Sequence, residues 1–197
     1  MLIPPVVSMV SIGALIVVGA GAVSGQDYPS RPVRLVTSGI GGGLDFAARL
    51  ISPGLSASLG QPVIVDNQGG GILPTQTVAK APPDGYTLLL NGGVVWLLPF
   101  MRDNLPWDPL RDFSPITLAV TSPNILVVHP SLPVKSVNEL IALAKAKPRQ
   151  LNYASSSVGS AVHLAGELFK SMAGVDIVDI SYKGGSAEIG DLLAGRV

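Results

Sequence analysis

Residues 32–49 read PVRLVTSGIGGGLDFAAR, and this stretch decides the fold. A mostly apolar run at 33–36 precedes a glycine-rich loop, after which apolar residues recur at helical spacing. The order is that of a strand, a loop and a helix. Glycines permit positive φ angles and a close approach of a ligand to the backbone. The free N–H groups at the start of the helix attract anions. The stretch predicts either a phosphate- or carboxylate-binding loop or merely a tight turn.

Predicted strands and helices continue to alternate along the rest of the chain. Apolar patterns, turns and capping signals predict strands at 33–36, 62–66, 86–90, 114–120, 125–129, 151–154 and 176–181, and helices at 44–58, 72–81, 136–147, 161–173 and 186–193. We expect Pro53 to kink or shorten the first helix and Gly60 to cap it. Strands that alternate with helices indicate an α/β fold with parallel sheets, and ligands of such sheets lie at the carboxyl ends of the strands.

Charge and composition restrict the classes of partner and of site. The 197 residues include 13 basic and 13 acidic side chains and no cysteine. Without a basic field, nucleic acid is not an expected partner. Without cysteine, the sequence excludes disulfides, thiolate chemistry, cysteine-ligated zinc and lipidation at a cysteine. Because the chain has two histidines and no cysteine, we expect no metal site.

The amino-terminal stretch is apolar and uncharged from residue 2 to residue 23. Small residues near Ala22 and Ser24 suit a cleavage site, which predicts a signal peptide at 1–25 and an exported protein. The basic region that usually opens a signal peptide is missing, since the first basic residue is Arg31. The alternative is a membrane anchor, because about 20 apolar residues can span a bilayer.

Several motifs, taken in order, resemble one family. They are YPSRPVRLV at 28–36, GGGLD at 41–45, LGQPV at 59–63, AKAPPDGYTLL at 79–89, VVHPSLP at 127–133, LNYASS at 151–156, HLAGELF at 163–169 and YKG at 182–184. Together they resemble the Bug-type extracytoplasmic solute receptors of tripartite tricarboxylate transporters. The resemblance implies a two-lobed periplasmic binding protein fold of type II. It also implies a non-enzymatic periplasmic receptor without a cofactor, which captures a small organic carboxylate and hands it to the membrane subunits of the transporter.

The same resemblance implies which residues hold the ligand. Family members grip one carboxylate with the loop after the first strand and with a serine-rich loop of the second lobe. Because loop amides alone give marginal affinity, residues such as Asn91, Trp96 or Tyr182 are expected to contact the rest of the ligand. The expected ligand-binding residues are Ser38, Gly41, Gly42, Gly43, Asp45, Asn91, Ser155, Ser156, Ser157, Gly159, His163 and Tyr182.

Two departures from the family pattern affect these expectations. The first loop lacks the prolines that usually precede its glycines. The chain also ends earlier than the family pattern does, so we expect an incomplete fold, with a first lobe at 26–100 and a second lobe at 101–197. The lobes would meet at a hinge near 100–114.

Two enzyme classes remain as alternatives. A nucleotide-binding oxidoreductase would use the glycine loop and Asp66, but position 44 is leucine where the dinucleotide fingerprint requires glycine. A secreted serine hydrolase would use the serines at 155–157 with His163, but no G-x-S-x-G motif is present. Asp45 would repel a carboxylate directly, so its side chain is expected to accept loop N–H groups or to hold a bridging water. The alternative is a plain helix-start residue that complements the helix dipole.

Overall fold

A three-stranded parallel sheet forms the first half of the chain. The computed structural model describes residues 28–183 and 185–197. The strand order is β2–β1–β3, with β1 in the centre. The strands are β1 (Val33–Thr37), β2 (Val63–Asn67) and β3 (Thr87–Leu89), and the helices between them are α1 (Gly43–Leu59) and α2 (Leu73–Ala79). The predicted β-α-β-α-β order is therefore confirmed.

Burial of β1 on both faces anchors this sheet. Val33 and Val36 are fully buried and Leu35 nearly so, as expected for the central strand of a parallel sheet covered by helices. Ala47 and Ala48 form the buried side of α1. Their short side chains let the helix pack closely on β1, so the loop between β1 and α1 has both ends fixed.

Helix α1 corrects one expectation. It continues to Leu59 although Pro53 lies inside it, so the expected shortening is wrong. A proline removes one backbone donor but leaves the packing of the helix on the sheet in place. The helix ends at Gly60, whose φ of 66° is the left-handed conformation of the predicted glycine cap.

A second, two-stranded parallel sheet follows later in the chain. After β3 come a short helix α3 (Val94–Leu97) and a 3-10 turn (Leu98–Phe100), and then α4 (Val137–Ala146), β4 (Asn152–Ser155), α5 (Ala161–Ala173), β5 (Val178–Ser181) and α6 (Gly185–Leu193). Ser136 caps α4, because its Oγ accepts the N–H of Glu139, while Glu139 Oε2 accepts the N–H of the preceding Lys135.

The strands predicted at 114–120 and 125–129 are wrong. Both segments are irregular, and Ile116, Leu118 and Ile125 are more than three-quarters exposed. A strand needs a hydrogen-bonded neighbour. In the described part of the chain β4 and β5 pair with each other, and neither extends its pairing to these segments. An apolar pattern alone therefore did not make a strand here.

An aromatic clamp ties the start of the described chain to the amino end of the first sheet. Tyr28 Oη donates to the carbonyl of Gly85 at 2.7 Å, and the N–H of Ser30 donates to Tyr86 Oη at 2.9 Å. The guanidinium of Arg31 lies 4.2 Å from the centre of the Tyr86 ring. These contacts fix the entry into β1.

The predicted signal peptide at 1–25 lies outside the described residues. Among residues 28–183 and 185–197, none of the helices has the length and apolarity needed to cross a membrane.

Close packing at Gly166 generates a stability prediction. A Cβ at Gly166 would lie 2.3 Å from Cε2 of Tyr153, whose hydroxyl donates to Glu167 at 2.9 Å. Because the ring is held in place, we expect Gly166→Ala to lower the free energy of unfolding by about 2 kcal/mol. This loss exceeds the gain of about 1 kcal/mol from better helix propensity. The matched control is Gly54→Ala in α1, where the new Cβ would meet no atom within 4 Å. Equal effects of the two substitutions in chemical denaturation would contradict the prediction.

Candidate functional site

Loops from both sheets converge at the carboxyl ends of the strands. The first sheet contributes the loops at 38–42, 68–72 and 90–93, and the second contributes those at 156–160 and 182–183. Gly70 lies against Ser156 and Lys183, because a Cβ at this glycine would be 3.4 Å and 3.5 Å from their carbonyl oxygens. The two sheets thus present their loops to each other, as ligand sites between α/β units require.

Gly41 forms a second contact between the halves. Its φ of 82° is left-handed, and a Cβ there would lie 3.0 Å from Cβ of Ser186 at the start of α6. Only glycine adopts this conformation without strain and leaves room for Ser186. The predicted glycine loop is therefore present, and its backbone faces the second sheet.

A buried carboxylate holds the glycine loop from behind. Asp45 Oδ2 accepts the N–H of Gly41 at 3.0 Å, and Oδ1 accepts from Asn67 Nδ2 at 2.8 Å and from Arg49 Nε at 2.9 Å. Burial disfavours the charge of Asp45, but these donors outweigh it and hold its pKa below the usual range. Its contacts in the structure are thus with the protein itself.

Asn67 links the same loop to β2. Its amide nitrogen also donates to the carbonyl of Ser38 at 2.9 Å, and its oxygen accepts from Arg49 at 2.9 Å. The glycine loop is therefore braced at Ser38 and at Gly41. Bracing of this kind preorganises a binding loop, which lowers the entropy that a ligand must overcome.

The serine loop is fixed at both of its ends. At one end Ser155, the last residue of β4, is fully buried, although its Oγ has no hydrogen-bond partner among the described residues. At the other end Ser160 Oγ accepts the N–H of His163 at 3.2 Å and so caps α5. Gly159 has a φ of 82°, and a Cβ there would lie 3.2 Å from Cδ1 of Leu98 in the first half of the chain.

His163 is buried behind the serine loop. Its Nδ1 accepts the buried N–H of Gly159 at 3.4 Å, and its Nε2 lies 3.9 Å from Asp179 Oδ2 on β5. Both ring nitrogens are therefore directed at groups other than a serine hydroxyl. This geometry weighs against the serine hydrolase alternative, since a triad needs a base within hydrogen-bond reach of the nucleophile.

A small cavity lies beside the point where the loops meet. Its volume is 190 Å³. The lining combines glycine backbone, three aliphatic side chains and one cation, from Gly71, Ile72, Leu98, Arg102 and Val158. Gly71 follows Gly70 and Val158 follows Ser157, so the cavity adjoins both converging loops.

The remaining predicted residues have partners of their own. Asn91 donates to Thr75 Oγ1 at 3.0 Å and accepts the N–H of Gly92 at 2.8 Å. Tyr182 donates to Asp191 Oδ2 at 2.7 Å, and this hydrogen bond, with partial burial, raises the pKa of the phenol. The structure thus brings the predicted loops together. Ligand binding stays a prediction for all twelve of the predicted residues.

Sequence reasoning missed three residues of this region. Asn67 and Gly70 belong to a second glycine-rich loop after a strand, and that repeated pattern was a usable signal. Arg102 had no such signal, since its place beside the cavity depends on how the 3-10 turn packs.

The structure gives less support to dinucleotide binding and to metal binding. Asp66, the acidic residue of the oxidoreductase alternative, accepts from Arg34 and from Gln68 Nε2. Its carboxylate is therefore engaged by protein donors. Within the described residues, no group of three or more His, Cys, Asp or Glu side chains could hold a metal ion.

One protein-family model matches most of the chain. The model of the tripartite tricarboxylate transporter family receptor matches residues 47–197. Protein BugT of Bordetella pertussis is 38% identical over 183 residues, which make up 90% of this chain and 56% of BugT. The chain spans about half the length of the curated relatives it matches.

Solved structures share the fold. A protein of R. palustris, solved with adipate, superimposes with a TM-score of 0.82 at 41% identity. MatC from Rhodopseudomonas palustris, with bound malate, gives 0.81 at 29%, and the periplasmic binding protein BugD gives 0.77 at 31%. Each alignment covers 86% of this chain and 58–59% of the solved protein.

Replacing the buried carboxylate tests the support of the glycine loop. We expect Asp45→Asn to destabilise the fold by about 2 kcal/mol, because an amide directs N–H groups at one of the donors that Asp45 now satisfies. The matched control is Asp176→Asn, whose partner Arg149 is 3.8 Å away and exposed, and which should change stability little.

The pH dependence of stability follows from the same carboxylate. Because the pKa of Asp45 is lower in the folded protein than in the unfolded chain, its charge stabilises the fold above the unfolded value of 3.8. That stabilisation is lost as the pH falls through the folded pKa. Urea denaturation below pH 4 should therefore show a steeper loss for the wild type than for Asp45→Asn. Parallel curves would refute the assignment.

A pair of substitutions tests the role of His163 in holding the serine loop. His163→Leu removes the acceptor for Gly159 and should cost about 1 kcal/mol, with faster amide hydrogen exchange at Gly159. His163→Asn keeps an acceptor near the Nδ1 position and should restore slow exchange. Identical exchange in both variants would mean that the imidazole acts only through packing.

Proposed function

The chain belongs to the tripartite tricarboxylate transporter receptor family, and from this membership we propose that it acts as a periplasmic receptor for a small organic carboxylate. The receptor hands its ligand to the membrane subunits of a transporter of that type. It is not an enzyme and needs no cofactor. Two observations on relatives support this proposal: BugD is described as a periplasmic binding protein, and two solved relatives contain adipate and malate, both small carboxylates.

The observation that carries the proposal is the convergence of the glycine loop and the serine loop. Gly41 and Gly70 touch the second half of the chain through positions where a side chain would intervene. A carboxylate placed between the loops would accept backbone N–H groups from Gly42 and Gly43, since the N–H of Gly41 is already donated to Asp45. The residues at 155–157 would supply hydroxyl and amide donors from the other side.

Binding energy explains why both halves are needed. A hydrogen bond to a charged group contributes about 1.5–3 kcal/mol, so four of them give roughly 6–12 kcal/mol before an association cost of at least about 4 kcal/mol. Micromolar affinity requires about 8 kcal/mol net. Four bonds shared between the two loops reach this value only at their upper limit, so closure of the lobes and contacts to the rest of the ligand must supply the remainder.

We assign the two halves to lobes at 26–100 and 101–197 that close on the ligand about a hinge near 100–114. The closed arrangement would be favoured only by a ligand that contacts both lobes. A ligand bound in this way stabilises the folded protein by mass action.

A thermal-shift screen tests the ligand class. We expect at least one acid in a panel of mono-, di- and tricarboxylates to raise the melting temperature, and nicotinamide dinucleotides to leave it unchanged. A shift with dinucleotides alone would contradict the receptor function and favour the oxidoreductase alternative.

Substitution of the glycine loop tests the site. Gly41→Ala forces a strained φ and brings a methyl group against Ser186, so carboxylate affinity should fall about tenfold or more. Gly69→Ala is the matched control, because its Cβ would meet no atom within 4 Å and its φ is not left-handed. Equal affinities of the two folded variants in calorimetric titration would refute the loop assignment.

A further inference from the structure

We propose that His163 positions the serine loop only while its imidazole is unprotonated at Nδ1, so that protonation of the ring weakens binding of the carboxylate. This inference rests on the proposed function and concerns the regulation of the same site. In this role His163 is a positioning residue, because it acts on the ligand through the backbone of Gly159.

One backbone hydrogen bond fixes the protonation of one ring nitrogen. The N–H of Gly159 is directed at Nδ1 of His163, with 3.4 Å between the two nitrogens. A backbone N–H can only donate, so Nδ1 must offer its lone pair and carries no hydrogen. In an imidazolium both ring nitrogens carry hydrogen, and the same contact would bring two donors together. The contact and the protonated ring therefore exclude each other.

The place of Gly159 gives this contact control over the serine loop. Gly159 follows the serines at 155–157 and precedes Ser160, which caps α5. Its φ is 82°, and a Cβ there would lie 3.2 Å from Cδ1 of Leu98 in the first half of the chain. Loss of the acceptor would leave a buried N–H unpaired, which favours a shift of the loop toward water. Such a shift would move the donors that the carboxylate needs.

The groups that face the ring of His163 come from β5, α5 and β4. On β5, Asp179 Oδ2 lies 3.9 Å from Nε2, and Asp179 Oδ1 is buried with no hydrogen-bond partner among the described residues. On α5, Glu167 is close enough to be stabilised by a charged ring, and it pairs with Lys170 at 2.7 Å. On β4, Tyr153 donates to Glu167 at 2.9 Å. A proton on the ring would thus gain an ion pair with Asp179 as it removes the acceptor of the loop.

Neighbouring groups leave the pH range of an imidazole free of competing titrations. The hydrogen bond from Lys170 holds the pKa of Glu167 below its usual range, and burial raises the pKa of Tyr153 above its own. From the first half of the chain, Arg102 lines the same small cavity as Val158 of the serine loop. A guanidinium keeps its charge throughout this range.

The direction of the pH effect follows from these contacts. Imidazoles as a class change charge between about pH 5 and pH 8. The loop geometry that holds the carboxylate needs an unprotonated Nδ1, so the affinity is complete at the upper end of this range. It is lost as the pH falls through the titration of His163. Because coupling between two sites is reciprocal, binding of the carboxylate should also oppose protonation of the ring.

The experiment is a calorimetric titration of the purified protein with adipate and with malate at about pH 8 and about pH 5.5. For the wild type, we expect at least about fivefold weaker affinity at the lower pH. His163→Asn keeps an acceptor near the Nδ1 position but does not titrate, so its affinity ratio between the two pH values should report the titration of the ligand alone. His129→Asn is the matched control and should keep the wild-type ratio, because His129 Nδ1 accepts the N–H of Ser131 in a turn outside the site.

A ligand-free measurement tests the contact itself. In nuclear magnetic resonance spectra recorded across this pH range, the amide resonance of Gly159 should shift with the same midpoint as the imidazole of His163. The shift should vanish in His163→Asn. Asp179→Asn removes the carboxylate that would pair with the imidazolium, so the midpoint should move to lower pH.

The outcomes separate this inference from the function on which it rests. Equal affinity ratios in the wild type and His163→Asn, or tighter binding at the lower pH, would overturn the role of His163 and leave the carboxylate receptor standing. A Gly159 amide that does not follow the imidazole would do the same. Binding of no acid from the carboxylate panel at either pH would overturn the proposed function, and the resonance titration would still decide whether the proton controls the loop.

Discussion

The buried carboxylate of Asp45 ties neighbouring parts of the chain to a strand 22 residues further on. It contacts the loop after β1, the second turn of α1 and the end of β2 through Gly41, Arg49 and Asn67. A buried charge is stable only when it is paired and hydrogen-bonded, so these donors and the carboxylate require one another. The shape of the glycine loop follows from that mutual dependence, and so does the position of its N–H groups.

The second half of the chain builds a comparable support with different chemistry. There the imidazole of His163 takes the place of the carboxylate and accepts the N–H of Gly159. Both supports lie behind their loops and leave the front of each loop to face the other sheet. Close contact at Gly41 and Gly70 then depends on the absence of side chains.

Local patterns predicted most of the fold. The alternation of strands and helices and the glycine cap at Gly60 depend on neighbours in sequence, so local patterns predicted them. The strands expected at 114–120 and 125–129 failed because strand formation depends on a partner that no local pattern reveals. Of the candidate site, the glycine and serine loops were predictable. The places of Asn67 and Arg102 depend on packing between distant segments and were not.

The aromatic clamp has a practical consequence for handling the protein. Tyr28 and Arg31 are held at Gly85 and Tyr86, immediately before β3, and therefore at the amino end of the first sheet. The loops of the candidate site all leave the opposite, carboxyl ends of the strands. An affinity tag, a fluorophore or a surface tether attached just ahead of Tyr28 would thus be far from these loops. Immobilisation through that end would leave the candidate site unobstructed for surface-based binding measurements.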